Sequence, residues 1–181
     1  FRIFDCLNSV ESMKMSIEAV CETGKICEAA VCYSGDLSDT NEDIYTLNYY
    51  INKAKELERF GAHIIAIKDM AGLCKPKAAT KIFFALKNEI SLPIHFHTHD
   101  TSGISAASVI AAADSGVDII DGASDSMSGL TSQPNLGSIV ESFRLTNRDT
   151  ELDKGGLRKI ANYWEEVRKF YQPFESDLRS G

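Results

Sequence analysis

Three of the four histidines fall at alternate positions in one stretch, Pro93-Ile94-His95-Phe96-His97-Thr98-His99-Asp100-Thr101. On a β-strand, alternate residues share a face. All three imidazoles would then project to one side, and Ile94 and Phe96 to the other. Imidazoles so arranged can hold a metal ion against a packed core. The plainer alternative is a buried strand whose histidines are hydrogen-bonded for packing reasons. His97 and His99 lie two residues apart on one face, which lets both reach a single ion. His95, one step deeper, is expected to pack inside or to support the ligands from behind. A site of two histidines and one or two oxygen ligands suits Zn²⁺ or Mn²⁺. Asp100 and Thr101 can orient the imidazoles or cap the helix that follows.

Lys68 closes a second apolar run, Ala62-His63-Ile64-Ile65-Ala66-Ile67-Lys68-Asp69. Ile64, Ala66 and Lys68 share one parity; Ile65 and Ile67 share the other and suit a helix-covered face. An ammonium beside a histidine-held metal would be repelled by it. The amine can instead be neutral, its pKa lowered by burial and by the ion. It can also be carbamylated by CO2, which turns it into an anionic oxygen ligand. A salt bridge to Asp69 needs no metal at all. Residue types alone leave these three open.

The elements that must position these groups repeat. Strands are predicted to start near positions 1, 27, 62, 93 and 117. Helices are predicted over 10–20, 42–60, 75–90, 104–113 and 136–143, with a last one through Tyr163, Trp164, Val167 and Tyr171. The third helix opens at Lys75-Pro76, a pair suited to a first turn. Five alternations of apolar strand and helix imply a parallel sheet covered by helices. No Gly-x-Gly-x-x-Gly follows the first strand, so a dinucleotide-binding sheet is unsupported. The remaining parallel solution is a (β/α)8 TIM barrel, which takes about 250 residues and eight strands. The chain is therefore expected to supply roughly strands four to eight. Residues 1–150 would be the C-terminal part of the barrel and 151–181 a helical extension. Barrel chemistry sits at the C-terminal ends of strands. Each predicted strand has a polar group there: Asp5, Tyr33, Lys68, His97 with His99, and Asp121.

The 181 residues are 44% apolar and 25% charged, with a formal net charge of −7. An acidic chain without a basic stripe does not fit a nucleic-acid partner. No apolar run approaches the roughly 18 residues of a membrane-spanning helix, so no membrane role is expected. Cys6, Cys21, Cys27, Cys32 and Cys74 follow no zinc-binding spacing and read as reduced thiols. Cys6 and Cys74 lie just past predicted strands, where a functional thiol is conceivable, although small core fillers are the simpler reading. Both ends of the chain read as cut, so a longer parent polypeptide is expected.

Four motifs together resemble one family. They are Phe1-Arg2-Ile3-Phe4-Asp5, Ala66-Ile67-Lys68-Asp69-Met70-Ala71-Gly72, His95-Phe96-His97-Thr98-His99-Asp100-Thr101-Ser102-Gly103, and Ser126-Met127-Ser128-Gly129-Leu130-Thr131-Ser132-Gln133-Pro134. In this order they are similar to the carboxyltransferase domain of the biotin-dependent pyruvate carboxylases. The likeness runs through Tyr163-Trp164 and Phe174-Glu175-Ser176. Related oxaloacetate decarboxylases and transcarboxylases share the Lys-Asp-Met-Ala element but usually carry Cys or Ser within the histidine motif. A biotin-independent metal-dependent lyase on a similar barrel, or a non-catalytic scaffold, are the further alternatives.

The resemblance implies that Lys68 is an N6-carboxylysine and that it binds metal together with His97 and His99. It implies an Asp ligand, a pyruvate-binding Arg and a proton-shuttling Thr on segments this chain does not contain, so the isolated piece is expected to be inactive. The implied reaction is a ligase half-reaction serving anaplerosis and gluconeogenesis. Carboxybiotin, made elsewhere with ATP, passes its carboxyl group to pyruvate and gives oxaloacetate. The implied partners are pyruvate and oxaloacetate, a biotinyl carrier domain and other copies in a homotetramer. The implied location is the bacterial cytoplasm or the mitochondrial matrix.

Overall fold

The computed structural model describes residues 1–175. Five strands form one sheet: β1 Arg2–Phe4, β2 Glu28–Cys32, β3 Ile64–Asp69, β4 Ile94–Thr98 and β5 Ile119–Ile120. Their spatial order is their chain order, and all four pairings are parallel. Parallel crossovers are right-handed, so strands laid down in unbroken order send every connecting helix to the same face. A doubly wound sheet reverses direction and covers both faces; this one does not. It is a partial (β/α)8 barrel, with helices outside and a second face turned inward.

The helices are α1 Val10–Glu22, α2 Leu47–Arg59, α3 Pro76–Glu89, α4 Ser105–Asp114, α5 Leu136–Phe143 and α6 Lys154–Tyr171. Helix α1 starts where the Ser9 side chain accepts the Ser12 amide, and it buries Val10, Met13 and Ile17 at helical spacing. Helix α2 was expected from residue 42 but begins at Leu47. Glu42 turns its carboxylate back onto the amides of Ile44 and Tyr45, at 3.0 and 2.9 Å. The helix start passes to Thr46, whose side chain accepts from Tyr49. Between sheet and helices lies one apolar core that includes Ile65, Ile67, Ile94 and Phe96 from the strands and Ile17, Leu57, Phe83 and Leu86 from the helices.

The loop between β1 and α1 is tied to the sheet by Asn8. Its amide donates to the Cys32 carbonyl at 2.9 Å and accepts from the Cys32 amide at 2.7 Å. The clamp fixes the end of β2 without a side-chain partner on that strand. Helix α6 lies on the surface, joined to Ser126 through the Ala161 carbonyl and the Arg168 guanidinium at 2.9 Å each; none of its residues is buried, and Ile160, Tyr163, Trp164, Phe170 and Tyr171 are exposed. The last six positions of the expected 151–181 extension, including Ser176 of the Phe-Glu-Ser motif, lie outside the described residues. Among those residues, no helix is long and apolar enough to cross a membrane.

Candidate metal and carboxyl-transfer site

Strand parity decides which groups meet. Lys68 pairs with Cys32 on one side and with His97 on the other. His97 and Lys68 therefore share the inward face at the same height. His99 lies one residue beyond β4, but its amide still donates to the Asp69 carbonyl at 3.0 Å, so the alternation continues. His97 and His99 consequently converge: their Nε2 atoms are 3.1 Å apart.

Each imidazole is held from behind. His97 Nδ1 lies 2.6 Å from Asp121 Oδ2, and His99 Nδ1 lies 2.6 Å from the Thr131 carbonyl. Both partners are acceptors, so both Nδ1 atoms carry the proton and both Nε2 lone pairs face the same point. This is the outer hydrogen bonding that orients a metal-bound histidine. The loop over 126–134 supplies the second clasp through its backbone. The Ser132 carbonyl accepts the Asp100 amide at 2.7 Å, and the Leu130 carbonyl accepts the Thr101 hydroxyl.

His95 is buried and has a carboxylate on each nitrogen: Glu28 at 2.8 Å on Nδ1 and Asp121 at 2.9 Å on Nε2. Burial alone would lower its pKa, but these hydrogen bonds raise it to about 9. Arg2 pairs with Glu28 and reaches Asp121 at 3.4 Å. Its Nη2 also lies 3.1 Å from His95 Nδ1. Two donors cannot bond, and the closer carboxylate assigns that proton to the imidazole. Burial would raise the pKa of Asp121, yet the bonds from His95 and His97 hold it well below the carboxylate range.

The other expected site residues divide. Lys68 is half-buried, with Nζ 4.9 Å above the Phe4 ring. Among the described residues it makes no ion pair, so the alternative of a Lys68–Asp69 bridge falls away. Asp69 points outward and is fully buried. It accepts from the amides of Ala71, Leu73 and Cys74 and from the Thr98 hydroxyl. Tyr33 does not line the mouth. It has the outward parity and stacks on Tyr50 at 5.3 Å in the helix layer, where burial pushes its pKa up. Asp5 organises its own loop through the amides of Leu7 and Ser9. Asp100 takes the helix-capping role, accepting from Ser105 at 3.1 Å. Cys74 is buried, as a core filler would be, whereas Cys6 is exposed.

Three participants went unnoticed in the sequence. Arg2 and Glu28 are charges inside otherwise apolar strands, a signal that could have marked them. The Thr131 carbonyl is a backbone group and leaves no signature of residue type.

Among the described residues, no group of three or more His, Cys, Asp or Glu side chains is placed to hold a metal. The residues present nonetheless fit part of such a site: two oriented imidazole nitrogens, with Lys68 level with them on the adjacent strand.

A parallel partial barrel whose polar groups, His97 and His99 among them, gather at its strand ends defines an α/β protein of the (β/α)8 class. The chain belongs to the HMGL-like family, whose model matches residues 5–163. It is 51% identical over 180 residues to the pyruvate carboxylase of Bacillus subtilis and 44% identical over 184 residues to the mitochondrial pyruvate carboxylase of Homo sapiens. These alignments cover 99% and 100% of this chain, but only 16% of each relative. Among solved structures, the carboxyl transferase domain of Rhizobium etli pyruvate carboxylase matches with a TM-score of 0.98 at 57% identity. That match covers 99% of this chain and 30% of the other. The same domain has been solved with pyruvate and biocytin.

Proposed function

We propose that this chain is part of the carboxyltransferase domain of a pyruvate carboxylase and helps move a carboxyl group from carboxybiotin to pyruvate, giving oxaloacetate. The observation that carries the proposal is the convergence of His97 and His99, held beside Lys68, in a chain that follows a carboxyl transferase domain along almost its whole length. In this reading residues 1–150 are barrel and the remainder is a helical extension. The full protein carries a biotinyl domain, forms a homotetramer and works in the cytoplasm or the mitochondrial matrix.

His97 and His99 would hold a divalent ion, Zn²⁺ or Mn²⁺, and Lys68 would supply an oxygen ligand as N6-carboxylysine. For that, the neutral Lys68 amine adds to CO2: an N–C bond forms, the nitrogen releases a proton, and an anionic carbamate remains. An ion held there would supply positive charge for the enolate that pyruvate forms on losing a methyl proton. The strand ends of this chain orient the ligands, and the loop over 126–134 holds His99 in place. The enolate carbon would then bond to the CO2 released from carboxybiotin, and the methyl proton would pass to the biotin nitrogen from which that CO2 departed.

The test is oxaloacetate formation by the intact parent protein from pyruvate, bicarbonate and ATP, with and without avidin. Avidin-sensitive synthesis supports the proposal. Activity indifferent to avidin, or running only from oxaloacetate, overturns it.

A further inference from the structure

The inner face carries a set of charged groups that the proposed reaction does not use. Arg2 on β1, Glu28 on β2, His95 on β4 and Asp121 just after β5 form a closed ring of contacts. Both nitrogens of His95 face carboxylates, so it donates from both. The ring then balances two positive groups against two negative ones, as a buried polar cluster must. Only Asp121 reaches out of it. Its Oδ1 takes His95 and its Oδ2 takes His97, at 2.9 and 2.6 Å.

The geometry points to Asp121 as a positioning residue that fixes the tautomer and direction of His97, anchored in turn by His95 and Arg2. The inference rests on the metal-site reading above and deepens it. One oxygen of the Asp121 carboxylate is tied on the far side by His95 Nε2 at 2.9 Å, which restrains it against swinging with the loop after β5. Its other oxygen, which also faces Arg2 at 3.4 Å, can meet His97 only through a protonated Nδ1, and this leaves Nε2 of His97 bare. Without it, the ring of His97 would be free to rotate or to exchange tautomers, and its nitrogen would be aimed at the ion for only part of the time. Glu28 is different: it holds His95 but does not touch His97.

The experiment uses the full-length parent protein, stripped of metal and reloaded with Co²⁺ or Zn²⁺. The readouts are the metal dissociation constant, by competition with a chelating dye, and the visible spectrum of the Co²⁺ form. Asp121→Asn is expected to weaken metal binding by about 10- to 100-fold and to alter the Co²⁺ spectrum. Asp118→Asn, which alters a carboxylate bonded to Lys87 and the Ile94 amide and not to His97, is expected to leave the constant within about twofold to threefold, as for a residue outside the hydrogen bonding of the ligands. Unchanged affinity and spectrum in Asp121→Asn overturn the inference, as does an equal loss in both variants. If Asp121→Asn does not fold, Asp121→Glu replaces it. That variant keeps the charge but displaces the oxygen, so a smaller loss supports the inference and unaltered binding overturns it. A wild-type parent that takes up no metal overturns the metal reading itself, and is told apart by needing no variant.

Discussion

The Nε2 atoms of His97 and His99 face each other at 3.1 Å while the opposite nitrogen of each ring is bound to an acceptor. Two bare lone pairs at that distance repel unless a proton or a cation lies between them. The surroundings thus prepare a position for positive charge, and they do so with groups from three separate segments: β4, the residue after β5, and the loop over 126–134.

Replacing the proposed ligands should stop the chemistry. In the intact parent protein, Lys68→Ala and His97→Ala are each expected to lower oxaloacetate formation by roughly 10²-fold or more. ATP-dependent carboxylation of biotin, measured in the same preparations, should persist, because the proposal places it on another domain. Both half-reactions failing together would point to misfolding rather than to the site.

Lys68 should carry a carboxyl group derived from CO2. Equilibrating the parent protein with ¹³C-bicarbonate is expected to give a carbamate carbon signal that Lys68→Arg lacks. Chelation of the metal should weaken that signal, since the ion favours the anionic carbamate over the free amine. A signal of equal strength in Lys68→Arg would place the carbamate elsewhere.

Asp69 should matter for stability rather than for ligation. It gathers three loop amides and one hydroxyl in a fully buried position. Asp69→Ala leaves those donors without an acceptor, at about 1–3 kcal/mol each for the most buried. A total loss of about 4 kcal/mol is expected in denaturant unfolding of this domain. A loss under about 1 kcal/mol would show that water replaces the carboxylate.

Gly72 links that turn to the histidines. Its φ is +69°, and a Cβ there would meet the His99 carbonyl oxygen at 2.8 Å as well as the Ser102 hydroxyl. Gly72→Ala combines left-handed backbone strain of about 1–2 kcal/mol with this clash. The expected result is a lower unfolding midpoint together with weaker metal binding, because the displaced atom belongs to a residue proposed as a ligand. Weaker stability with unaltered metal affinity would confine the effect to the turn.

How much of this the sequence disclosed depends on the kind of group. The five βα units were legible because their apolar runs are separated by helical spacing and glycine stops. The inward parity of Lys68, His97 and His99 was legible because strands alternate. Tyr33 was misplaced because the last residue of a strand can be polar and still face the helices; its hydroxyl is accommodated there by the Leu37 amide. The alternatives for Lys68 narrowed only when Asp69 was seen committed to its own turn. The ring of Arg2, Glu28, His95 and Asp121 joins four strands, and its register is set by pairing that no single segment displays. The clasp on His99 is a carbonyl, which every residue possesses.

Strand order follows chain order, so each βα unit can dock on the one formed just before it, over separations of a few tens of residues. The charged ring is the exception: 67 positions separate Glu28 from His95, and 119 separate Arg2 from Asp121. Loop closure over so long a segment costs more entropy than any neighbouring strand pairing. The scaffold can therefore assemble from its N-terminal unit onward as the chain is synthesised, while the contact that completes the charged ring waits for the fifth strand. His97 can reach its final aim only after the fifth strand has paired, because its partner Asp121 follows that strand.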